Sequence, residues 1–251
     1  MHLTHDQERR YIRQMMLAEI GREGQEKIAA ARVLVVGAGG LGSALIPYLA
    51  AAGVGVLGII DSDRVELSNL ARQVMYETGD LGRLKVEAAR DRVSELNPEI
   101  LINSYPEALT AENAVRVMKD YDIIADGCDN FATRFLVNKT CVALKKPLIS
   151  GAVAGWEGQV ASFNPAHIPA SPCYQCFLHP EAPEANTCIE SGVAGPLVGM
   201  IGAAQALEVL RMILGSPALI GKLALTNGRT HQQRMITIHK DVTCEVCGAA
   251  A

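Results

Sequence analysis

Short apolar runs alternate with segments of helical periodicity through the first 150 residues of the chain. The run over 33–36 precedes a glycine-rich turn, a helix over 41–52 and a second run over 56–60. The same alternation continues with helices over 82–96, 111–119 and 131–144 and with strands over 100–104, 121–125 and 147–153. Regular alternation of this kind predicts an α/β fold with a Rossmann-like, doubly wound and mainly parallel sheet.

The two ends of the chain depart from this alternation. Residues 6–30 carry charges throughout and predict a helical arm that packs on a neighbour. After residue 151 we expect a strand over 158–163, a long loop over 164–195, a helix from Gly195 and antiparallel strands near 223–226 and 232–239. No internal repeat or low-complexity linker interrupts the chain, so one domain is expected over 1–251, with the arm over 1–30 and two halves over 31–153 and 154–251.

The longest apolar stretch, over 193–214, has nearly the length of a membrane span. Gln205, Glu208 and Arg211 recur within it at intervals of three residues. The stretch therefore predicts a core helix with one polar edge.

Composition narrows the classes of partner. The 251 residues have a formal net charge of −4 and a pI near 5.9, which argues against a nucleic acid or a membrane as the main partner. The first ten residues are polar and charged and do not resemble a signal peptide, so a cytoplasmic location is expected.

A glycine turn between the first strand and the first sheet-covering helix predicts a nucleotide pocket. Its glycines are Gly37, Gly39, Gly40 and Gly42, and Asp61 ends the next apolar run. Glycines allow the backbone to approach phosphate, the helix start offers unpaired N–H groups, and an acid in that position can bind ribose hydroxyls. The alternative is a tight turn without a ligand.

Several polar residues after Asp61 suggest a triphosphate rather than a dinucleotide. Arg72 gives a planar fork and Lys85 a point charge, and both suit phosphate oxygens. Ser68, Asn69 and Gln73 lie in the same segment. The alternative is that each of these charges is a solvated surface group.

Asp129 and Asn130 follow the predicted strand over 121–125, at the edge of the sheet where ligands bind in this class of fold. Asp129 is a candidate magnesium ligand, because magnesium prefers one or two carboxylates together with phosphate oxygens. Its alternative role is a helix cap, shared with Asn130, and Asp126 is the weaker candidate ligand.

Seven cysteines include two C-x-x-C pairs, which predict one structural zinc ion bound by four thiolates. The ligands are Cys173, Cys176, Cys244 and Cys247. Cys188 is the remaining cysteine of the long loop and is either an unremarkable thiol or a nucleophile. Cys128 and Cys141 are expected to be small packing residues.

Taken in order, these residues resemble the adenylating enzymes of the ThiF, MoeB and HesA family, bacterial relatives of the ubiquitin-activating enzymes. The resemblance extends over nearly the whole chain and also includes a segment in the arm, residues 10–14, and the pair Thr187 and Cys188. It implies that ATP lies over the glycine turn, that magnesium binds Asp129, and that Arg13 reaches the triphosphate of the neighbouring subunit in a homodimer.

The resemblance also implies a reaction and a protein partner. The C-terminal glycine carboxylate of a ubiquitin-fold sulfur carrier ending in Gly-Gly would attack the α-phosphate of ATP and release pyrophosphate. The half over 154–251 would bind this carrier, and Cys188 would cover its tail or form an acyl-sulfur intermediate. A separate cysteine desulfurase or rhodanese would supply the sulfur.

Three functional hypotheses remain open at this level. The first is adenylation of a carrier, with the small subunit of molybdopterin synthase as first candidate and the carriers of thiazole synthesis or tRNA thiolation as alternatives. The second is a nicotinamide-dependent oxidoreductase, which would use the same glycine turn and Asp61. The third is a scaffold that binds a carrier without catalysis.

Overall fold

A computed structural model describes residues 2–179 and 192–248. Within these residues eight strands form one sheet with the order β3-β2-β1-β4-β5-β6-β7-β8. The strands are β1 (Arg32–Val36), β2 (Val56–Ile60), β3 (Leu101–Tyr105), β4 (Ile123–Asp126), β5 (Leu148–Ala154), β6 (Glu157–Phe163), β7 (Lys222–Asn227) and β8 (Gln232–Thr237). The first five are parallel, and the last three extend the sheet in antiparallel fashion, which confirms the predicted fold class.

Helices precede the sheet and cover its two faces. They are α1 (His5–Met15), α2 (Gly21–Ala30), α3 (Gly42–Ala52), α4 (Lys85–Leu96), α5 (Ala114–Met118), α6 (Phe131–Ala143), α7 (Tyr174–Phe177) and α8 (Gly195–Ile213). One apolar cluster contains residues of α3, α4 and α8, and another contains residues of α5 and α6. The central strands β1, β2 and β4 are therefore buried on both faces, as their apolar sequences require, whereas β8 is exposed.

The order of the strands reverses direction beside β1. The chain runs outward from β1 through β2 to β3, and then returns to β4 on the other side of β1. Parallel pairing aligns Val36 with Asp126, so the segments after both strands leave the sheet side by side. Ligands of open α/β sheets bind at such a reversal, beyond the carboxyl ends of the strands.

The N-terminal arm is helical, as expected over 6–30, but its helix is interrupted. It contains two helices that are separated by a turn over residues 16–20, and α2 begins at Gly21 with a φ of 52°. The arm also packs on its own chain: the buried Tyr11 ring lies against Gly53, and its hydroxyl accepts a 2.8 Å hydrogen bond from Asn97.

Two other helices begin later than expected. Gly82 has a φ of 81° and belongs to a turn, so α4 begins at Lys85. Before α5, the Asn113 side chain accepts a 2.8 Å hydrogen bond from the amide of Thr110, and regular helix begins at Ala114. In both cases side-chain and backbone turn contacts replace the first helical turn that periodicity predicts.

Helix α8 is, among the described residues, the one helix long and apolar enough to cross a membrane. It packs on α3, β5 and β6, and it buries Gln205 and Glu208 while Arg211 stays exposed. The buried Glu208 carboxylate accepts hydrogen bonds of 2.9 Å from Ser162 and from the amides of Ala218 and Leu219. These contacts confirm the predicted core helix with a polar edge.

Candidate active site

The glycine turn joins the end of β1 to the start of α3. Gly37 has a φ of 93°, and a Cβ atom on Gly42 would overlap the carbonyl oxygen of Gly37. No described residue accepts a hydrogen bond from the amides of Gly39, Gly40 or Leu41. Unpaired amides at the start of a helix are suited to an anion such as phosphate.

Asp61 follows β2 and is bound to the glycine turn. One carboxylate oxygen accepts a 2.8 Å hydrogen bond from the amide of Ala38, and the other accepts one of 2.7 Å from the amide of Asp63. Burial raises the pKa of the Asp61 carboxyl, while the Lys85 ammonium is the largest opposing influence. Each oxygen has a second lone pair, so the fixed carboxylate can still accept from ribose hydroxyls.

The segment after β2 folds back over the glycine turn. A Cβ atom on Gly40 would lie 3.8 Å from the Arg72 side chain, and one on Gly39 would lie 3.7 Å from Nε2 of Gln73. Gln73 is buried, and its Oε1 atom has no hydrogen-bond partner in the described residues. The structure therefore places both residues beside the turn and leaves Oε1 of Gln73 without a hydrogen-bond partner among the described residues.

Ser68 and Asn69 lie in a 3₁₀ turn, Leu67–Asn69, that leads to Arg72. The Asn69 side chain accepts a 3.3 Å hydrogen bond from the amide of Glu66, and Ser68 Oγ lies 3.4 Å from the Glu66 carboxylate. Arg72 in turn donates to the carbonyl oxygen of Ser68 at 3.1 Å. In this structure the two residues shape the segment that carries Arg72.

Lys85 begins α4 and is buried. Its Nζ atom lies 2.8 Å from Oδ2 of Asp63, whose side chain is 66% exposed. The same ammonium opposes the rise in the pKa of the Asp61 carboxyl, so it lies near that carboxylate and the predicted pocket. An exposed carboxylate is a weak partner, and a phosphate could replace it.

Asp129 and Asn130 have different roles at the end of β4. Asn130 caps α6 by accepting a 2.9 Å hydrogen bond from the amide of Thr133. Asp129 is exposed, and its carboxylate makes no hydrogen bond or ion pair with any residue in the described ranges. Capping thus belongs to Asn130, and Asp129 offers hard oxygen atoms of the kind that magnesium prefers.

The Asp129 segment lies against the glycine turn. A Cβ atom on Gly37 would lie 3.1 Å from the carbonyl oxygen of Gly127, and one on Gly127 would lie 3.2 Å from Cβ of Leu41. Asp126, the weaker candidate ligand, is buried and accepts a 3.0 Å hydrogen bond from the amide of Cys128. It is a structural anchor of this segment.

Arg134 is a residue of this site that the sequence interpretation missed. It is buried in α6, donates to the carbonyl oxygen of Cys128, and lies 4.0 Å from the Asp126 carboxylate. It therefore fixes both ends of the turn that leads to Asp129. Its spacing from Val137, Asn138 and Cys141 places it on the buried face of the predicted helix, which is the signal that could have identified it.

Arg13 is not brought to the glycine turn of its own chain. Helix α1 contacts the far end of α3 through Tyr11 and Gly53, whereas the glycine turn adjoins the start of α3. Eleven helical residues span about 16 Å. The exposed Arg13 side chain thus lies near the C-terminal end of α3, whereas the predicted triphosphate lies at the start of α3.

The end of the predicted loop, at Gly195, lies beside the segment that carries Arg72. A Cβ atom on Gly195 would lie 2.5 Å from the carbonyl oxygen of Ala71. A small cavity of about 220 Å³ is bounded by the glycine turn at Gly40, by Arg72 and by the start of α8. Cys188 and Thr187 lie outside the described residues.

The four predicted zinc ligands converge. All four Sγ atoms lie within 4.8 Å of one another, with distances of 3.7 Å for Cys173 to Cys244 and 3.4 Å for Cys176 to Cys247. A tetrahedral zinc ion with Zn–S bonds of about 2.3 Å requires sulfur separations of about 3.8 Å. The cluster therefore fits a structural zinc ion.

Asn138 of α6 supports this cluster from outside. Its Nδ2 atom donates to Sγ of Cys173 at 3.5 Å, and its Oδ1 atom accepts a 2.8 Å hydrogen bond from the amide of Tyr174. Such contacts orient ligands and disperse thiolate charge. The other two described cysteines, Cys128 and Cys141, are buried, and burial raises the pKa of both thiols, as expected for packing residues.

Comparison with known proteins identifies the family. The ThiF family model matches residues 11–246 of the chain. The chain belongs to the ThiF family. The "Sulfur carrier protein adenylyltransferase" of Thermus thermophilus is 44% identical over 253 residues, which cover 99% of this chain and 93% of that protein.

A second group of ThiF-family relatives is longer. The "Adenylyltransferase and sulfurtransferase MOCS3" of Culex quinquefasciatus is 45% identical over 249 residues, covering 98% of this chain but 56% of the relative. The chain thus spans little more than half the length of such relatives. Together the family and the relatives confirm the predicted enzyme class, an adenylyltransferase.

Solved structures support the fold of this ThiF-family chain. The structure of E. coli MccB with MccA-N7isoASN superposes with a TM-score of 0.85 at 23% identity, covering 96% of this chain and 74% of that one. The structure of E. coli MccB with ATP gives a TM-score of 0.77 at 23% identity, with coverages of 90% and 68%. At this identity the likeness concerns the fold alone.

Proposed function

We propose that this chain uses ATP to adenylate the C-terminal glycine carboxylate of a small ubiquitin-fold sulfur-carrier protein. The observation that carries the proposal is the set of unpaired amides at Gly39, Gly40 and Leu41, flanked by Arg72 and by the unpaired Asp129 carboxylate. This set provides anion-binding and metal-binding groups at one sheet edge. A nicotinamide cofactor has no need of Asp129 or Lys85, so the oxidoreductase hypothesis is disfavoured.

In the proposed complex the ribose hydroxyls donate to Asp61 and the phosphates lie over the glycine turn. Arg72 and Lys85 neutralise the β- and γ-phosphates, and the Nε2 group of Gln73, which lies beside the turn at Gly39, donates a hydrogen bond to a phosphate oxygen. Lys85 exchanges Asp63 for phosphate. Asp129 would hold the magnesium ion, which supplies further neutralisation of the pyrophosphate.

The proposed reaction needs no general base. A carboxylate oxygen of the carrier forms a bond to the α-phosphorus of ATP, and the bond from this phosphorus to the oxygen that bridges to the β-phosphate breaks. Pyrophosphate leaves with the electron pair of that bond. Because the nucleophile is already ionised, catalysis consists of alignment and of stabilising negative charge on the leaving group.

A homodimer completes the proposed site. Arg13 is remote from the glycine turn of its own chain, and the arm exposes Ile12, Met16 and Leu17, whose side chains offer an apolar contact surface. In the proposed dimer a neighbouring arm supplies Arg13 to the pyrophosphate. A cytoplasmic location and a sulfur donor such as a cysteine desulfurase or a rhodanese belong to the same proposal.

The first candidate carrier is the small subunit of molybdopterin synthase, with the carriers of thiazole synthesis and tRNA thiolation as alternatives. All three present a C-terminal glycine, and the described site contains groups for ATP and the carboxylate rather than for one carrier. Cys188 remains a candidate nucleophile for the activated carrier. Exchange assays with each carrier would distinguish the candidates.

Exchange of labelled pyrophosphate into ATP tests the proposal. We expect exchange that needs both magnesium and a carrier ending in Gly-Gly. Asp129→Ala should reduce it by roughly 100- to 1000-fold, because a charge contact to the leaving group is lost. Asp120→Ala is the matched control at an exposed aspartate elsewhere. Rapid exchange without any carrier, or full activity of Asp129→Ala, would contradict the proposal.

A further inference from the structure

A second cavity lies at the amino ends of the parallel strands, whereas the glycine turn follows their carboxyl ends. It has a volume of about 590 Å³ and adjoins the amino ends of β4 and β5 and the carboxyl ends of α2, α6 and α8. Its polar lining residues are Lys27, Asp122, Lys145, Lys146, Asn164 and His167. A space of this size is in the range that small-molecule sites occupy.

The charge around this cavity is opposite in sign to that of the chain. Three of the eight lysines in the sequence line it, although the chain carries a formal net charge of −4. None of the three ammonium groups has a hydrogen bond or an ion pair with a described residue. Asp122 is the one acid among the described lining residues, and its Oδ2 accepts a 2.9 Å hydrogen bond from the Arg32 amide.

Lys145 occupies a backbone position that favours glycine. Its φ is 57°, just after the C-terminal end of α6, whereas α3 and α8 use Gly53 (φ 84°) and Gly215 (φ 78°) there. The amides of Lys145 and Lys146 already cap α6, with hydrogen bonds of 3.2 and 2.8 Å to carbonyl oxygens of that helix. The helix end therefore does not need the ammonium group, and lysine stands at a position where glycine would be less strained.

Asn164 adds a fixed hydrogen-bond donor. It is buried at the end of β6, and its Oδ1 lies 2.9 Å from Nδ1 of His167. This contact sets the orientation of the amide group and leaves Nδ2 without a partner in the described ranges. Two hydrogens of a fixed amide thus lie in the same lining as the three lysines.

We propose that this cavity binds a small anion that carries phosphate groups. Lysine ammonium groups bind phosphate oxygens as point charges, and a fixed amide adds direction. A compact anion with several negative charges suits this lining, which contains three lysines and one aspartate that already accepts a hydrogen bond. Because the glycine turn follows the opposite ends of the strands, this site is separate from the proposed ATP site.

Calorimetry with pyrophosphate tests the proposal in a background in which the first site is disabled. The double variant Arg72→Ala with Lys85→Ala lacks the two positive charges that are proposed to bind phosphate at the glycine turn. We expect that variant still to bind one pyrophosphate per chain, and to do so more weakly as salt is raised. Adding Lys145→Gly and Lys146→Ala should weaken this binding by about tenfold or more, because two charged donors are lost.

Controls separate binding from folding. Lys145→Gly suits the left-handed backbone, so the melting temperature should stay the same or rise while affinity falls. Lys139→Ala with Lys222→Ala removes the same charge away from the cavity and should leave affinity unchanged. Loss of all pyrophosphate binding in the Arg72 and Lys85 background would overturn the proposal, as would equal weakening by the control pair.

Discussion

At the scale of single residues, the glycine turn depends on contacts too close for any side chain. A Cβ atom on Gly42 would overlap a backbone oxygen, which cannot move without changing the turn. The free amides that we assign to phosphate exist because of this close approach. Gly42 therefore supports both the fold and the proposed ATP site.

Gly42→Ala should lower the free energy of unfolding by about 1 to 3 kcal/mol, since overpacking against backbone is costly. Gly199→Ala is the matched control, because it lies in α8 with open space around the added methyl group. Alanine there should be neutral or stabilising by up to about 1 kcal/mol. Urea denaturation of both variants measures the difference, and equal stability of the two would contradict the assigned role of the turn.

Asp61 gives a pH-dependent prediction at the same scale. Burial raises its pKa in the folded chain above the ordinary value of 3.8, so the folded state binds this proton more tightly than the unfolded state. The resulting stabilisation is fully present below pH 3.8 and is lost as pH rises through the folded-state pKa. The Asp61→Asn variant has no carboxyl group at this position to titrate, so it serves as the reference for wild type.

The stability of wild type relative to Asp61→Asn should therefore fall as pH rises above 3.8 and through the folded-state pKa. Chemical denaturation of both proteins at several pH values gives the difference in free energy of unfolding. A difference that grows in favour of wild type with rising pH would show that the folded-state pKa is lowered, against this account.

At the scale of elements, α6 connects the proposed magnesium residue to the zinc cluster. Asn130 caps the helix beside Asp129, Arg134 anchors the Cys128 carbonyl oxygen one turn later, and Asn138 contacts Cys173 after a further turn. The three side chains recur at intervals of four residues, on one face of the helix. A rigid helix thus relates the two sites.

Asn138→Leu should weaken zinc binding by roughly 10- to 100-fold, because it removes the donor to Cys173 and the acceptor for Tyr174. Competition with a chromophoric chelator measures the affinity. Asn103→Leu is the control, since it removes a 3.1 Å hydrogen bond to Tyr121 far from the cysteines along the sheet. Equal zinc affinity in both variants would contradict the supporting role of Asn138.

The alternation of apolar runs with helical segments was sufficient to predict β1 to β5 within about two residues. Continuous apolar sequence marks the buried parallel strands β1, β2 and β4, whereas β3 is a partly exposed edge strand of mixed sequence. The approach of the segment after β4 to the glycine turn also followed, since parallel strands end at one edge of the sheet. The break in the arm did not follow, because α1 and α2 continue the same charged pattern across residues 16–20. The anchor role of Arg134 depends on tertiary contacts with Asp126 and Cys128, for which sequence spacing gives only a weak signal.

At the scale of the whole molecule, the position of the arm explains why one chain leaves the proposed site incomplete. Tyr11 holds α1 against Gly53, at the end of α3 remote from the phosphates. A second subunit must therefore supply Arg13 if that residue contacts the pyrophosphate. The exposed apolar residues of the arm are consistent with such an assembly.

Mixing Arg13→Ala with Asp129→Ala tests this assembly. Each variant alone should be nearly inactive in pyrophosphate exchange, but a mixed dimer contains one site with both residues intact. Random reassociation of equal amounts should restore about a quarter of the wild-type activity, since half of the dimers are mixed and half of their sites are complete. Mixing two samples of Arg13→Ala is the control, and no recovery in the mixed sample would contradict a shared site.

The central claim is that the carboxylate of the carrier becomes bonded to AMP, and intact-protein mass spectrometry of the carrier measures this directly. Incubation with the chain, ATP and magnesium should shift a carrier ending in Gly-Gly by the mass of one AMP group, with pyrophosphate released. Asp129→Ala, or a carrier lacking its last glycine, should give no shift. An unmodified carrier alongside ATP hydrolysis, or AMP bonded anywhere other than the terminal glycine, would contradict the account.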